Sequence, residues 1–222
     1  MSEPRQPLLL FDLDGTLIDS APDLAGAAND LRAVHGLPPL AHAELRPMVG
    51  SGARGMVNVA FGVLPADDRF AGLRDAFLAR YAERLLHSTR IFDAVLPVLD
   101  ALDAAGLRWG IVTYKAMRFT APLVDGLGLR TRAVVVIAGD TTPHAKPHPA
   151  PLLEAARQAA VPPSACVYIG DDHRDIVAGR AAGMTTLAAA WGYLGQGDPV
   201  QAWGADHVLT SPADLLQWLE LA

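Results

Sequence analysis

Apolar residues in this chain fall into short unbroken runs set between longer stretches of mixed polarity. Pro7–Phe11 (PLLLF), Leu107–Thr113 (LRWGIVT), Ala133–Gly139 (AVVVIAG), the ACVYIG run around Cys166 and Thr185–Trp191 (TTLAAAW) do not alternate polar with apolar. Runs of that kind mark strands buried on both faces, as in parallel sheets. A weaker strand signal stands at DHVL, from Asp206. Between the runs lie helical patterns: VLPVLDALDAAG, TAPLVDGLGL, PAPLLEAARQAA and RDIVAGRAAG. Gly106 and Gly183 suit helix C-caps, and TSPADLLQWLE offers Ser211 as N-cap with Pro212 at the first helical position. Strand and helix alternate, which predicts an α/β fold with a Rossmann-like, mostly parallel sheet.

From about Ser20 to Ile91 the alternation fails. The patterns there, such as PDLAGAANDLRAVHG and DDRFAGLRDAFLARYAERLLH, are helical, and no strand signal stands out. The expectation is therefore two parts. Residues 1–19 and 92–222 form the sheet core, and residues 20–91 form an inserted helical cap over its mouth.

Composition narrows the function classes. The chain has 222 residues, 51% of them apolar, enough to bury a sizeable core. A formal charge of −6 speaks against a nucleic-acid partner, which wants a basic face. The single cysteine, Cys166, can form no internal disulfide and sits in an apolar run, as a core residue would. No apolar stretch is long enough for a membrane span, and acids follow the first run at once, unlike a signal peptide. The expectation is a soluble, cytoplasmic protein.

The chemistry gathers where strands end. Asp12 closes the first run, Thr113 closes WGIVT, Asp171 and Asp172 follow VYIG, and Lys146 follows AVVVI after a loop. In open α/β sheets, ligands bind outside the carboxyl ends of the strands. Carboxylates crowded on one edge repel each other, and a divalent cation resolves the repulsion. An oxygen-only ligand set favours Mg²⁺. The lysine and hydroxyl are left for an anion, and the anion that suits Mg²⁺ with lysine is phosphate. Asp12 and Asp14, one residue apart, can then divide the work: one carboxylate attacks phosphorus, and the other protonates the leaving oxygen and later activates water. Gly15 lets the backbone bend close to the phosphate, and the amides of the turn can donate to its oxygens.

Competing readings are weaker. DxDGT is not an EF-hand loop, whose glycine is sixth and whose flanks are helices; here glycine is fourth and a strand precedes. GSGARG, Gly50 to Gly55, fits G-x-G-x-x-G but follows no strand, so it reads as a flexible cap loop near the site, not a dinucleotide fingerprint. Arg54 within it is either a fork for a substrate carboxylate or an ordinary solvated arginine. Prolines around His144 and His148 forbid a helical metal pair, and His173 either lines the site or is simply exposed.

FDLDGTL, the strand ending in Thr113, KPHP at Lys146 and GDDHRD from Gly170 follow in the order of the four motifs of the haloacid dehalogenase superfamily. Over essentially its whole length the chain resembles that family, and most closely its phosphoglycolate-phosphatase-like members, which carry a helical cap between the first and second motifs. HSTRIFD, LRWGIVTYKAMRF, GYLGQGDPVQAWGAD and GDDHRDI further resemble bacterial N-acetylmuramic acid 6-phosphate phosphatases. The resemblance implies a Mg²⁺-dependent phosphomonoesterase acting on a small acidic phosphorylated metabolite. Phosphoglycolate is the conventional substrate and N-acetylmuramic acid 6-phosphate the rival; a phosphomutase and a catalytically silent binding module are further alternatives. It implies Asp12 as nucleophile and Asp14 as acid/base, with Thr113 on a phosphoryl oxygen and Lys146 neutralising developing charge. Asp12, Asp171 and the backbone carbonyl of Asp14 would hold the metal, and Asp175 would orient metal-bound water. The chain departs from the family at two places. Asp172 stands where many relatives have Ser or Thr, and Tyr114, with its backbone amide as a candidate phosphate donor, stands where they have Asn.

Overall fold

The computed structural model describes residues 6–221; residues 1–5 and 222, expected at the two ends of the core, lie outside the described residues. In chain order the elements are β1 (Leu8–Phe11), β2 (Ile18–Asp19), α1 (Ala21–Val34), α2 (His42–Leu45), α3 (Gly52–Phe61), α4 (Phe70–Arg84), β3 (Arg90–Ile91), α5 (Leu96–Ala104), β4 (Trp109–Val112), α6 (Met117–Gly126), β5 (Val136–Ile137), α7 (Ala150–Gln158), β6 (Cys166–Gly170), α8 (His173–Ala181), β7 (Thr185–Ala189), β8 (His207–Leu209) and α9 (Asp214–Trp218).

Six of these strands form one parallel sheet in the order β5-β4-β1-β6-β7-β8. The two faces are covered separately, which is why its strands carry unbroken apolar runs. Leu9 and Phe11 of β1 pack with Val98, Leu99 and Leu102 of α5 and with Leu123 and Val124 of α6. Leu8 and Leu10 point the other way, onto Leu152 and Ala155 of α7 and Ala178 of α8. Alternate residues of one strand thus feed two cores, as the two-residue period of a strand requires. The sheet grows from β1 in both directions, with β4 and β5 on one side and β6, β7 and β8 on the other, so the chain reverses its winding at β1. The crevice at such a reversal, beyond the carboxyl ends of the strands, is where this architecture binds ligands.

Helices α1 to α4 bury a core of their own, built from Leu24, Leu31, Val49, Met56, Phe77 and Tyr81 among others, and Phe119 and Tyr193 from outside the segment join it. Asp23, buried in α1, accepts hydrogen bonds from the amides of Ser88 and Thr89 and from the Thr89 hydroxyl, which ties the end of the segment back to its beginning.

Three expectations need correction. The stretch to Ile91, read as free of strands, holds β3, which pairs antiparallel with β2 in a ribbon of two residues each at the two ends of the helical segment. GSGARG is not a loop: a 3₁₀ turn runs over Arg46–Ser51, and α3 starts at Gly52. Ser211 does not cap the last helix. Asp214 folds its carboxylate back onto the amides of Thr210 and Ser211 and both their hydroxyls, and the helix starts only there. Gly106 and Gly183 do follow helix ends, with φ of +69° and +72°.

Candidate active site

β1 delivers Asp12 to the mouth of the sheet: the Asp12 amide donates to the Ile169 carbonyl (2.8 Å), continuing the ladder with β6. The chain then turns at Gly15, at φ +86°, where any side chain would run into the carboxylate of Asp171. Glycine is needed there on both counts, backbone and space. Thr16, the next residue, donates its hydroxyl to Asp171 Oδ1 (2.7 Å), and the Tyr193 amide donates to Asp171 Oδ2 (2.8 Å). Asp171 is thereby fixed beside Asp12.

Asp12, Asp171 and Asp175 form one buried cluster, each offering an oxygen within 4.8 Å of the others. Lys146 enters it from the loop between β5 and α7. Its Nζ lies 2.7 Å from Asp175 Oδ1 and 3.0 Å from Asp12 Oδ1, and it donates to the Tyr168 hydroxyl (2.7 Å) and the Val112 carbonyl (3.2 Å). The Tyr168 hydroxyl donates in turn to Val112 O or Asp175 Oδ1. Three carboxylates face one ammonium. Burial pushes Asp12 up to about 7 against the pull of Lys146, and burial with the neighbouring Asp12 and Asp175 holds Asp171 well above the usual carboxylate range. Burial alone would lower Lys146; Asp12 and Asp175 outweigh it and hold the ammonium above its ordinary value. Removing one partner of a buried charge pair costs about 3–5 kcal/mol. Lys146→Met is therefore expected to lower the unfolding free energy of the metal-free protein by about that amount, read from denaturant midpoints. An unchanged midpoint would show that the lysine does not compensate the cluster.

Asp14 turns away from this cluster. Its Oδ1 accepts from the Ser20 hydroxyl and lies 3.1 Å from Lys115 Nζ. Lys115 donates to the Tyr81 hydroxyl (2.6 Å) and sits over that ring. Because Tyr81 belongs to α4, the orientation of Asp14 depends on the helical segment. The Tyr193 hydroxyl makes a second tie, accepting from the amides of Ser20 and Ala21.

Thr113 is buried at the end of β4 and accepts the Lys115 amide on its hydroxyl. The exposed Tyr114 beside it carries the Arg174 guanidinium over its ring, 5.2 Å from the centroid. Arg174 is forked onto Asp172 (2.7 and 2.8 Å) and donates to the Gly50 carbonyl of the 3₁₀ turn. The fork overcomes the burial of Asp172 and holds its carboxyl below the ordinary value. Both departures from the family pattern, Tyr114 and Asp172, thus meet in a single arginine that ties the helical segment to the sheet. Hydrogen bonds to charged groups are worth about 1.5–3 kcal/mol. Arg174→Ala is expected to speed amide exchange across residues 46–52 by about tenfold or more; unaltered exchange there would mean the guanidinium does not hold the turn.

Two hollows meet at Asp12 and Asp14. A small polar one is lined also by Gly50, Tyr114, Lys146, Asp171, Asp172, Arg174 and Asp175. A larger cleft of about 740 Å³, open mouth included, runs from Asp12, Asp14 and Thr113 past Leu24, Val49, Phe77, Leu78 and Tyr81 to Arg118 and Phe119. Arg54 does not line it: α3 leaves that side chain exposed, although Gly50 and Gly52 border the cleft. His144 and His148 are exposed and stand outside the carboxylate cluster, and Cys166 is buried in the core. Sequence reasoning missed Thr16, Lys115, Arg118, Tyr168 and Tyr193. Only Thr16 and Lys115 had a signal, being next to Gly15 and two positions beyond Thr113.

The chain matches known proteins along most of its length. Residues 9–189 match the family model for haloacid dehalogenase-like hydrolase. The chain is 41% identical over 222 residues to an N-acetylmuramic acid 6-phosphate phosphatase of Pseudomonas aeruginosa, covering 100% of this chain and 98% of the other. It is 47% identical over 208 residues to a phosphoglycolate phosphatase of Xanthomonas campestris pv. campestris, covering 93% of each. A crystal structure of a predicted phosphoglycolate phosphatase from Haemophilus somnus superposes with a TM-score of 0.85 at 27% identity, over 98% of this chain and 100% of that one. With the family model spanning most of the chain and phosphatases matching it nearly end to end, the chain belongs to the haloacid dehalogenase-like hydrolases and is an enzyme of their phosphatase type.

Proposed function

We propose that this enzyme hydrolyses the phosphate monoester of a small acidic metabolite through a covalent phosphate on Asp12. The observation that carries the reading is Asp12 itself. Its Oδ1 is buried and lacks a hydrogen-bond partner among the described residues, for Lys146 lies near it but off hydrogen-bonding direction, and it stands where the two hollows meet. In the first step the Asp12 carboxylate attacks phosphorus, forming the aspartyl-phosphate while the ester oxygen leaves. Asp14, held by Ser20 and Lys115, gives that oxygen its proton and then takes one from the water that attacks the aspartyl-phosphate, returning Asp12 and inorganic phosphate. Lys146 and Thr113, with the Tyr114 amide, are assigned to the phosphoryl oxygens, while Gly15, whose own amide donates to the Ile18 carbonyl, shapes the turn beside them.

The cluster also fits a divalent cation. Its donors are all carboxylate oxygens, and with a single ammonium beside them burial and mutual repulsion hold Asp12 and Asp171 above the usual carboxylate range, a penalty that a cation would relieve. Hard oxygen donors suit Mg²⁺. Asp12, Asp171 and the Asp14 backbone carbonyl are the ligands this reading assigns, with Asp175 shared between Lys146 and the ion's surroundings. A bound Mg²⁺ would offset the charge that a phosphoryl group brings to these carboxylates.

Helices α1 to α4 are assigned the role of a cap on a core of residues 6–19 and 92–221, closing on the substrate and excluding water. The substrates named for the two relatives, phosphoglycolate and N-acetylmuramic acid 6-phosphate, both carry a carboxylate as well as a phosphate, which supports an acidic substrate. No helix among the described residues is long and apolar enough to cross a membrane, and a metabolite substrate fits a cytoplasmic enzyme. The test is release of inorganic phosphate from p-nitrophenyl phosphate and from a panel of phosphorylated acids with Mg²⁺ present. Release no faster than in buffer for every compound would sink the proposal.

A further inference from the structure

The cleft beside Asp12 is lined by two cations, Lys115 and Arg118. Lys115 is occupied, 3.1 Å from Asp14 Oδ1 and bonded to the Tyr81 hydroxyl. Arg118 has no carboxylate and no hydrogen-bond acceptor among the described residues. It is exposed, and its guanidinium lies over the Phe119 ring at 4.5 Å from the centroid. It also borders the adjoining outer groove between α4 and α6, which Leu78, Leu85 and Phe119 share with Asp75, itself paired with Arg74, and which Asp12 and Asp14 do not reach. Arg118 therefore lines the cleft on the side that opens to the outer groove, away from the reacting aspartates.

Resting on the phosphatase reading above, we infer that Arg118 is the specificity residue of this enzyme, and that it takes the carboxylate at the far end of a phosphorylated acid whose body lies along the apolar wall. Charge fixes the direction. The inner end of the cleft already holds Asp12 and Asp14 and rejects a second anionic group that is not the phosphate. A carboxylate is driven outward, to a guanidinium that is unpaired among the described residues, is held against an aromatic ring and has a fork suited to a carboxylate. Size fixes the class. A two-carbon acid phosphate carries one methylene between its ester oxygen and its carboxyl group. It has no apolar surface to set against Val49, Phe77, Leu78, Tyr81 and Phe119. A phosphorylated sugar acid, with ring faces and methyl groups between phosphate and carboxylate, uses the whole cleft. The role sought for Arg54 in the sequence thus passes to Arg118, on the other wall.

The experiment compares two probes that differ only by the acid arm: N-acetylmuramic acid 6-phosphate and N-acetylglucosamine 6-phosphate. Wild type is expected to favour the acid in kcat/KM, and Arg118→Ala is expected to cut that ratio by at least about tenfold. Arg118→Lys keeps the charge without the fork and is expected to fall between them. A thermal unfolding midpoint unchanged in both variants shows that the fold is intact. A wild-type ratio near one, a ratio undiminished in Arg118→Ala, or a wild type that prefers phosphoglycolate to the sugar acid would each overturn the inference. Should wild type release phosphate from none of these compounds nor from p-nitrophenyl phosphate, it is the phosphatase reading that has failed.

Discussion

Asp12→Asn is expected to leave a folded protein that releases phosphate on the order of 10⁴-fold more slowly than wild type, or worse, since loss of a covalent nucleophile removes the whole two-step route. The amide keeps the size of the carboxylate, so the backbone bond to Ile169 and the contact with Lys146 are retained. It removes the negative charge and with it the nucleophile. Folding is not expected to suffer, because Asp12 is the carboxylate that burial disfavours. It is held up at about 7 by desolvation, and Lys146 retains Asp175 at 2.7 Å when Asp12 is neutral. The metal-free variant should unfold at the same denaturant concentration as wild type or higher. Two measurements decide the matter: single-turnover phosphate release, and mass spectrometry of the rapidly quenched protein, in which wild type carries a transient phosphate and the variant none. Turnover within about tenfold of wild type would remove Asp12 from the chemistry.

The strands β1, β4, β6 and β7 were legible because each is covered on both faces, and a strand so placed has no polar face to interrupt its apolar run. The site aspartates were legible for a related reason: a carboxylate ending such a run has no packing role, so its placement points to chemistry. What could not be read was whatever depends on distant pairing. β2 and β3 are two residues each and exist because Ile18 meets Ile91 across the whole helical segment, a contact with no local signature. β5 is shorter than its apolar run because it lies at the sheet edge, paired with β4 alone. Tyr168 looks like any core aromatic of β6, and only the fold shows its hydroxyl among Lys146, Asp175 and Val112. Arg54 drew attention through its glycine neighbours, yet those glycines open a helix that turns its side chain to solvent. Arg118 drew none, because a lone arginine in the first turn of α6 is unremarkable until Phe119 and the cleft are seen around it.

Removing divalent cations is expected to abolish phosphate release, and Mg²⁺ to restore it. The basis is the charge count around Lys146. Asp12, Asp171 and Asp175 bring three carboxylates within 4.8 Å, and one ammonium cannot balance them. A phosphate monoester brings further negative charge to the same spot, so without a cation the nucleophile and its target repel each other across a buried, weakly screened space. Stability supplies an independent reading of the same site. A cation that binds the folded protein alone stabilises it by about 2.7 kcal/mol at a hundredfold excess over its Kd. The stripped protein should therefore melt at a higher temperature when Mg²⁺ is added, and Asp171→Asn, which removes one charged ligand, should lose most of that gain. Calcium separates binding from catalysis. It accepts the same oxygens but takes 6–8 of them at longer distances, about 2.3–2.6 Å, against the tight octahedron of Mg²⁺. Calcium should thus raise the melting temperature while failing to restore turnover, because a larger, looser shell would have room for both Asp12 oxygens and leave neither to attack phosphorus. Full turnover after exhaustive chelation, or a melting temperature indifferent to both ions, would show that the carboxylate cluster is neutralised by protons and Lys146 alone.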